Sequence, residues 1–164
     1  KQQFVTYPIE PAVASFGQGF SLTPIKLVQL HAAIANGGKL VTPHVVRGLF
    51  HADGKPQWQP TLPAPQQIFS PPVAKTVLEM METVVTQGSG RTTQISGYRI
   101  AGKTGTAQKA SAKGGYHSTA KITSFVSILP VDAPRYVILA VIDEPTKVPK
   151  GQLIRGSTTA IPVV

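Results

Sequence analysis

The chain has 164 residues, 41% hydrophobic and only 14% charged, enough for one domain with a buried core and too apolar for a disordered acidic or basic tail. Its lack of cysteine removes disulfides and thiolate metal sites, and fifteen glycines with fifteen prolines point to a turn-rich fold. A formal charge of +9 suits an anionic partner, yet the lysines and arginines stand singly, with no basic run, so no nucleic-acid partner is expected.

No stretch approaches the roughly 18 apolar residues that span a bilayer, and the N-terminus lacks a signal-peptide layout, so the chain as it stands is expected to be soluble. Gly17 and Gly19 mark a tight backbone passage ahead of the first clear helix. That helix has Thr23 placed as N-cap, Pro24 as first helical residue and Asn36-Gly37-Gly38 as its left-handed stop. Most of its surface is apolar, which predicts packing on more than one side. His31 on it reads as a packed or hydrogen-bonded histidine, because no second ligand stands one turn away; no metal site is expected.

From Leu40 to Phe50 the alternation predicts a strand, turning at Ala52-Asp53-Gly54-Lys55 and returning through Gln57 and Trp58. Pro56, Pro60, Pro63 and Pro65 keep the chain extended until a second helix, with Ser70 as cap, Pro71 first and Gly88 as its end. Val73, Val77, Met80, Met81, Val84 and Val85 form its expected buried stripe, and Glu79 and Glu82 a solvated face. Ala107 to Thr119 reads as a mobile connection. Two further strands, 123–129 and 135–142, are joined by Pro130 to Pro134, and the apolar run Tyr136 to Ile142 is expected to be the best buried. Asp143-Glu144 ends that strand as a solvated acidic pair. Helices beside a three-stranded meander make the fold class α+β.

The densest chemistry lies in Ile100-Ala101-Gly102-Lys103-Thr104-Gly105-Thr106-Ala107, read as a strand. Period-two geometry puts Lys103 and Gly105 on one face and Thr104 and Thr106 on the other. Lysine charge, threonine hydroxyls and the N–H groups of an unpaired edge together suit an anion. Gly97 to Thr104 also satisfies G-x-x-x-x-G-K-[ST], the phosphate loop of nucleotide-binding proteins. Its setting is reversed, however: polar residues precede it, strand-like residues fill it, and Gly105 stands where a helix must begin.

Lys103-Thr104-Gly105-Thr106 resembles the K-T-G element of penicillin-binding proteins and serine β-lactamases. The surrounding chain is similar to class B penicillin-binding proteins, the peptidoglycan D,D-transpeptidases of cell division and elongation. The similarity runs in family order through Ser15 to Pro24, Ala32 to Gly38, Gly97 to Gln108 and Val141 to Pro145. Of the family's three motifs, S-x-x-K, S-x-N and K-T-G, only the last is in place. The lone S-x-x-K, Ser118-Thr-Ala-Lys121, follows K-T-G and leads into a strand, and no S-x-N triplet occurs.

The resemblance therefore implies that residues 1–164 are a single partial domain of the β-lactamase/transpeptidase-like fold, its C-terminal part, lacking the nucleophile-bearing half and the final helix. It implies serine acyl transfer between peptidoglycan stem peptides, inhibited by β-lactam antibiotics and needing no cofactor. Lys103 would tune electrostatics and the proton network, and Thr104, Gly105 and Thr106 would bind substrate. The hydroxyls of Thr104 and Thr106 would meet its carboxylate, and the Thr106 N–H would form half of the oxyanion hole. The full-length protein would be membrane-anchored on the extracytoplasmic (periplasmic) face of a bacterial inner membrane, with cell-wall synthesis or division proteins as partners. A non-catalytic sensor of the same fold, or a serine β-lactamase relative, is the alternative reading of the same residues.

Overall fold

A computed structural model describes residues 6–112, 114–148 and 150–164. In chain order its elements are α1 (Ile9–Ser15), α2 (Pro24–Ala35), β1 (Lys39–Leu40), β2 (Leu49–Phe50), β3 (Pro56–Trp58), β4 (Gln66–Gln67), α3 (Pro71–Thr86), β5 (Ala101–Ala110), β6 (Tyr116–Leu129), β7 (Tyr136–Asp143) and α4 (Gly156–Thr159). Short 3-10 turns occupy Arg91–Thr93 and Ile161–Val163.

β5, β6 and β7 form the expected antiparallel meander, with Thr104 opposite Phe125 and Phe125 opposite Ala140. Residues directly opposite share a face. Ala101, Lys103 and Gly105 therefore lie with Ile128, Val126 and Ser124, and Gly102, Thr104 and Thr106 lie with Ser127, Phe125 and Thr123. Leu78 and Met81 of α3 join Ala101, Val126 and Ile128 in one buried cluster, with Ile34 and Ala35 of α2 packed beside it. Ala160 and Ile161 join Ile100, Phe125 and Ala140 in the other, completed by Val85 from the last turn of α3. The sheet is thus lined by apolar contacts on both faces, an α+β layering. Phe125 and Ile128 are fully buried, each contributing about 1.5–3 kcal/mol of transfer free energy. The Phe125 ring explains Gly102: a Cβ there would stand 2.5 Å from Phe125 Cζ.

Both predicted helices form with prolines at their starts, but neither Thr23 nor Ser70 makes a side-chain cap bond. Pro72 at the second helical position removes one of the two amides that the Ser70 hydroxyl could cap, leaving that of Val73. The stripe buried on α3 is Ala74, Leu78, Met81 and Val85, a clean i, i+4, i+7, i+11 series, whereas Val73 and Met80 are exposed. His31 is hydrogen-bonded as expected, its Nδ1 donating to Leu27 O at 2.8 Å. Burial pushes its pKa down, outweighing that bond.

Other expectations fail for physical reasons. The strand from Leu40 to Phe50 exists only at its ends, in two different sheets: β1 pairs β4, and β2 pairs β3. Pro43 lacks a ladder donor and Val45 is fully exposed between them. Ala107 to Thr119 is not a loose connection, because β5 runs on to Ala110 and β6 starts at Tyr116. The best-buried strand is β6, not β7: β6 has a neighbour on each side, while β7 is an edge whose Tyr136, Ile138 and Val141 stay exposed. The helix α1 has no counterpart in the sequence reading, and none of its residues is buried.

Candidate active site

β5 continues as strand straight through Lys103 and Thr104, so no helix N-terminus faces Gly97 to Thr104 and the phosphate-loop reading falls. Among the described residues β5 pairs with β6 alone, leaving its other edge free. Beside it lies a cleft of about 700 Å³ lined by residues 14–17, by Lys103 through Ala107, and by Ile122 and Ser124. A more apolar cleft of about 520 Å³, between Ile100, Ser127 and Ile161, contains none of the predicted site residues.

Lys103 is exposed, and its Nζ donates to Thr104 O at 2.8 Å. In an antiparallel ladder, alternate residues turn both backbone groups toward the same neighbour. A Thr104 carbonyl that takes the lysine assigns Thr104, and Thr106 two residues on, to the outward set. Alternation thus separates the side chains of Lys103 and the two threonines across the strand, while its edge gathers the threonine backbone groups at the cleft.

Two residues to which the sequence assigns no site role support the threonines. Gly156, at the start of α4, donates its N–H to Thr106 Oγ1 at 3.1 Å. A Cβ at Gly156 would lie 2.5 Å from Ser124 O and 2.7 Å from Gly105 O, so the bond depends on the missing side chain. Ser89 Oγ lies 2.9 Å from Thr104 Oγ1. Gly88, beside Ser89, marks a turn in the sequence, but the pairing partners of Ser89 and Gly156 stand 15 and 50 positions away. Gly105 is crowded on its other face, where its Cβ would lie 2.4 Å from Ser124 Oγ.

The nearest further cation on the strand, Lys109, is already engaged. Its Nζ sits 2.6 Å from Glu144 Oε1 and 3.0 Å from Asp143 Oδ1, which raise its pKa, Glu144 first. Asp143 and Glu144 are therefore an ion-pair anchor between β5 and β7, not a free acidic end. Glu82 also departs from the solvated-face reading: Arg99 grips it with two bonds of 2.8 and 2.7 Å and holds its carboxyl below the usual range. Ser118 and Lys121 stand three apart in β6, on opposite faces, so they cannot act as a nucleophile and its base.

A family model described as penicillin binding protein transpeptidase domain matches residues 1–160. The chain is 44% identical to a peptidoglycan D,D-transpeptidase FtsI homolog of Mesostigma viride, over 99% of this chain and 28% of that protein. It superposes on penicillin-binding protein 3 of Mycobacterium tuberculosis with a TM-score of 0.77 at 34% identity, covering 84% of this chain and 32% of that one. The same protein complexed with aztreonam gives a TM-score of 0.75 at 35% identity, over 83% of this chain and 32% of that one. The chain spans less than a third of the length of each of these relatives.

Proposed function

This chain belongs to the penicillin-binding-protein transpeptidase family, and we propose from that premise that it is the C-terminal part of a serine D,D-transpeptidase domain. The nucleophilic serine lies in the remainder of the domain. The domain cross-links peptidoglycan stem peptides on the extracytoplasmic side of the membrane and is inhibited by β-lactams. The observation that carries this reading is the β5 edge, unpaired among the described residues, where Lys103 and the threonine backbone lie along one cleft and both threonine hydroxyls are supported from neighbouring elements.

The serine hydroxyl attacks the penultimate D-alanine carbonyl, and its proton passes to a base in the rest of the domain. Negative charge gathers on the former carbonyl oxygen, where the Thr106 N–H, fixed on the outward edge, donates to it without reorganising. Terminal D-alanine leaves with a proton on its nitrogen; an amine from a second strand then attacks the acyl-serine ester, the ester C–O bond breaks, and the proton lost by the amine returns to the serine oxygen. Until terminal D-alanine leaves, its carboxylate accepts from the Thr104 and Thr106 hydroxyls, and Lys103 supplies positive charge to the site. A β-lactam presents an amide carbonyl and a carboxylate to the same groups. The relative solved with aztreonam supports that part of the reading.

Incubating the full-length protein with a fluorescent penicillin tests the proposal. Stoichiometric covalent labelling is expected. A hydroxyl donating to a carboxylate contributes on the order of 1.5–3 kcal/mol, so Thr106→Val should slow acylation roughly ten- to a hundredfold. Unchanged kinetics in a folded variant would remove Thr106 from the site, and absence of labelling in the parent protein would remove the transpeptidase.

A further inference from the structure

We infer that Ser89 is a positioning residue that turns Thr104 into a hydrogen-bond donor toward the anionic end of the ligand; this rests on the transpeptidase reading above. Ser89 lies in the turn that leaves α3, 15 residues from Thr104 in sequence, and its Oγ stands 2.9 Å from Thr104 Oγ1. The turn is clamped on both sides of it. The amides of Gly88 and Gly90 return to the same carbonyl, Val84 O, at 3.1 and 2.9 Å. A Cβ at Gly88 would meet that oxygen at 2.9 Å, and one at Gly90 would meet it at 3.1 Å. Two glycines thus press the turn onto the backbone of α3, which Val85 roots in the core. Gln94 closes the same helix end from the far side, its Nε2 donating to Val85 O at 2.7 Å. Ser89 is exposed, but it is carried on a rigid support aimed at β5.

The direction of the bond follows from what each group can do. A hydroxyl has one proton and two lone pairs, and a carboxylate only accepts. When Thr104 gives its proton to a carboxylate, its own oxygen is left to accept, and Ser89 is the donor placed to fill it. Thr106 shows the same wiring with no ambiguity, because the Gly156 N–H that reaches its Oγ1 can only donate, leaving the Thr106 proton free. Each threonine therefore stands in the middle of a two-donor chain ending on the anion: Ser89 to Thr104, and Gly156 to Thr106. Such chains polarise one another and fix the hydroxyl rotor before the ligand arrives.

The test separates positioning from mere folding by changing the ligand's charge. Acylation of the full-length protein is measured with benzylpenicillin and with its methyl ester, which keeps the β-lactam and lacks the anion. Ser89→Ala should slow acylation by the free acid about three- to tenfold while leaving the ester rate unchanged, and Ser89→Thr should restore the parent rate. If Ser89→Ala does not fold, Ser89→Cys, nearly isosteric and a weaker donor, should give the same split. Equal slowing of acid and ester, or no slowing of either, overturns the inference. Failure of the parent protein to react with the acid overturns the transpeptidase reading as well, and so is distinguished from failure of Ser89 alone.

Discussion

Gly156→Ala should damage both the stability and the chemistry of this domain, and the structure supplies the size of the effect. The new methyl carbon would sit 2.5 Å from Ser124 O and 2.7 Å from Gly105 O, backbone atoms of a ladder rung that cannot turn aside. An ordinary carbon–oxygen approach is about 3.3 Å, so α4 must lift by about 0.8 Å. That movement stretches the 3.1 Å bond from the Gly156 N–H to Thr106 Oγ1 to about 3.9 Å, beyond hydrogen-bond reach. Overpacking costs about 1–3 kcal/mol and the lost bond about 1 kcal/mol, together about 2–4 kcal/mol. Gly105→Ala is the matched control. Its methyl meets only the Ser124 Oγ, at 2.4 Å, with Ser124 Cβ at a comfortable 3.8 Å, so rotation of one hydroxyl relieves it. Thermal unfolding and penicillin acylation of the full-length protein should both fall in Gly156→Ala, and the melting temperature should change far less in Gly105→Ala. In a Thr106→Val background the acylation part of the Gly156→Ala loss should largely vanish, because the bond is already gone. A Gly156→Ala protein with the parent's melting temperature and acylation rate would refute the packing argument.

Three further outcomes are expected. The isolated 164-residue chain should form no stable adduct with penicillin by intact-mass measurement, since Ser118 and Lys121 point to opposite faces of β6; a gain abolished by Ser118→Ala would contradict this. Gly102→Ala should cost at least about 1–3 kcal/mol by driving a methyl into the buried Phe125 ring, and Phe125→Leu should recover part of it in the double variant; additive losses would show that the two do not touch. Arg99 holds the Glu82 carboxyl below its ordinary value of 4.5, so the pair's contribution is present above that pH and is lost as pH falls through the depressed value. Glu82→Gln should accordingly flatten the decline of melting temperature on the acid side of pH 4.5, and an unchanged slope would remove the pair from the acid response.

Much of this protein is written locally. The proline and glycine boundaries of α2 and α3 and the order of strands from 101 to 143 depend on backbone preferences of a few adjacent residues, and they emerge as the sequence predicts, although β5 and β6 run further into the 107–119 connection. Lys103-Thr104-Gly105-Thr106 was legible as a strand for the same reason: the residues that set it are consecutive. Strand alternation even separated Lys103 from the threonines correctly. What periodicity could not supply is which neighbour an element meets. Leu78 and Met81 are core and Met80 is not because the sheet beneath α3 selects the face, and β6 outranks β7 in burial because it lies between two strands. Glu82 and Lys109 became ion-paired anchors only when partners 17 and 34 positions away arrived beside them. The supports of the site are of this second kind. Ser89 and Gly156 are unremarkable residues in turns until folding of the chain brings one from the end of α3 and the other from the start of α4 onto the same strand, where short-range hydrogen bonding gives them their role.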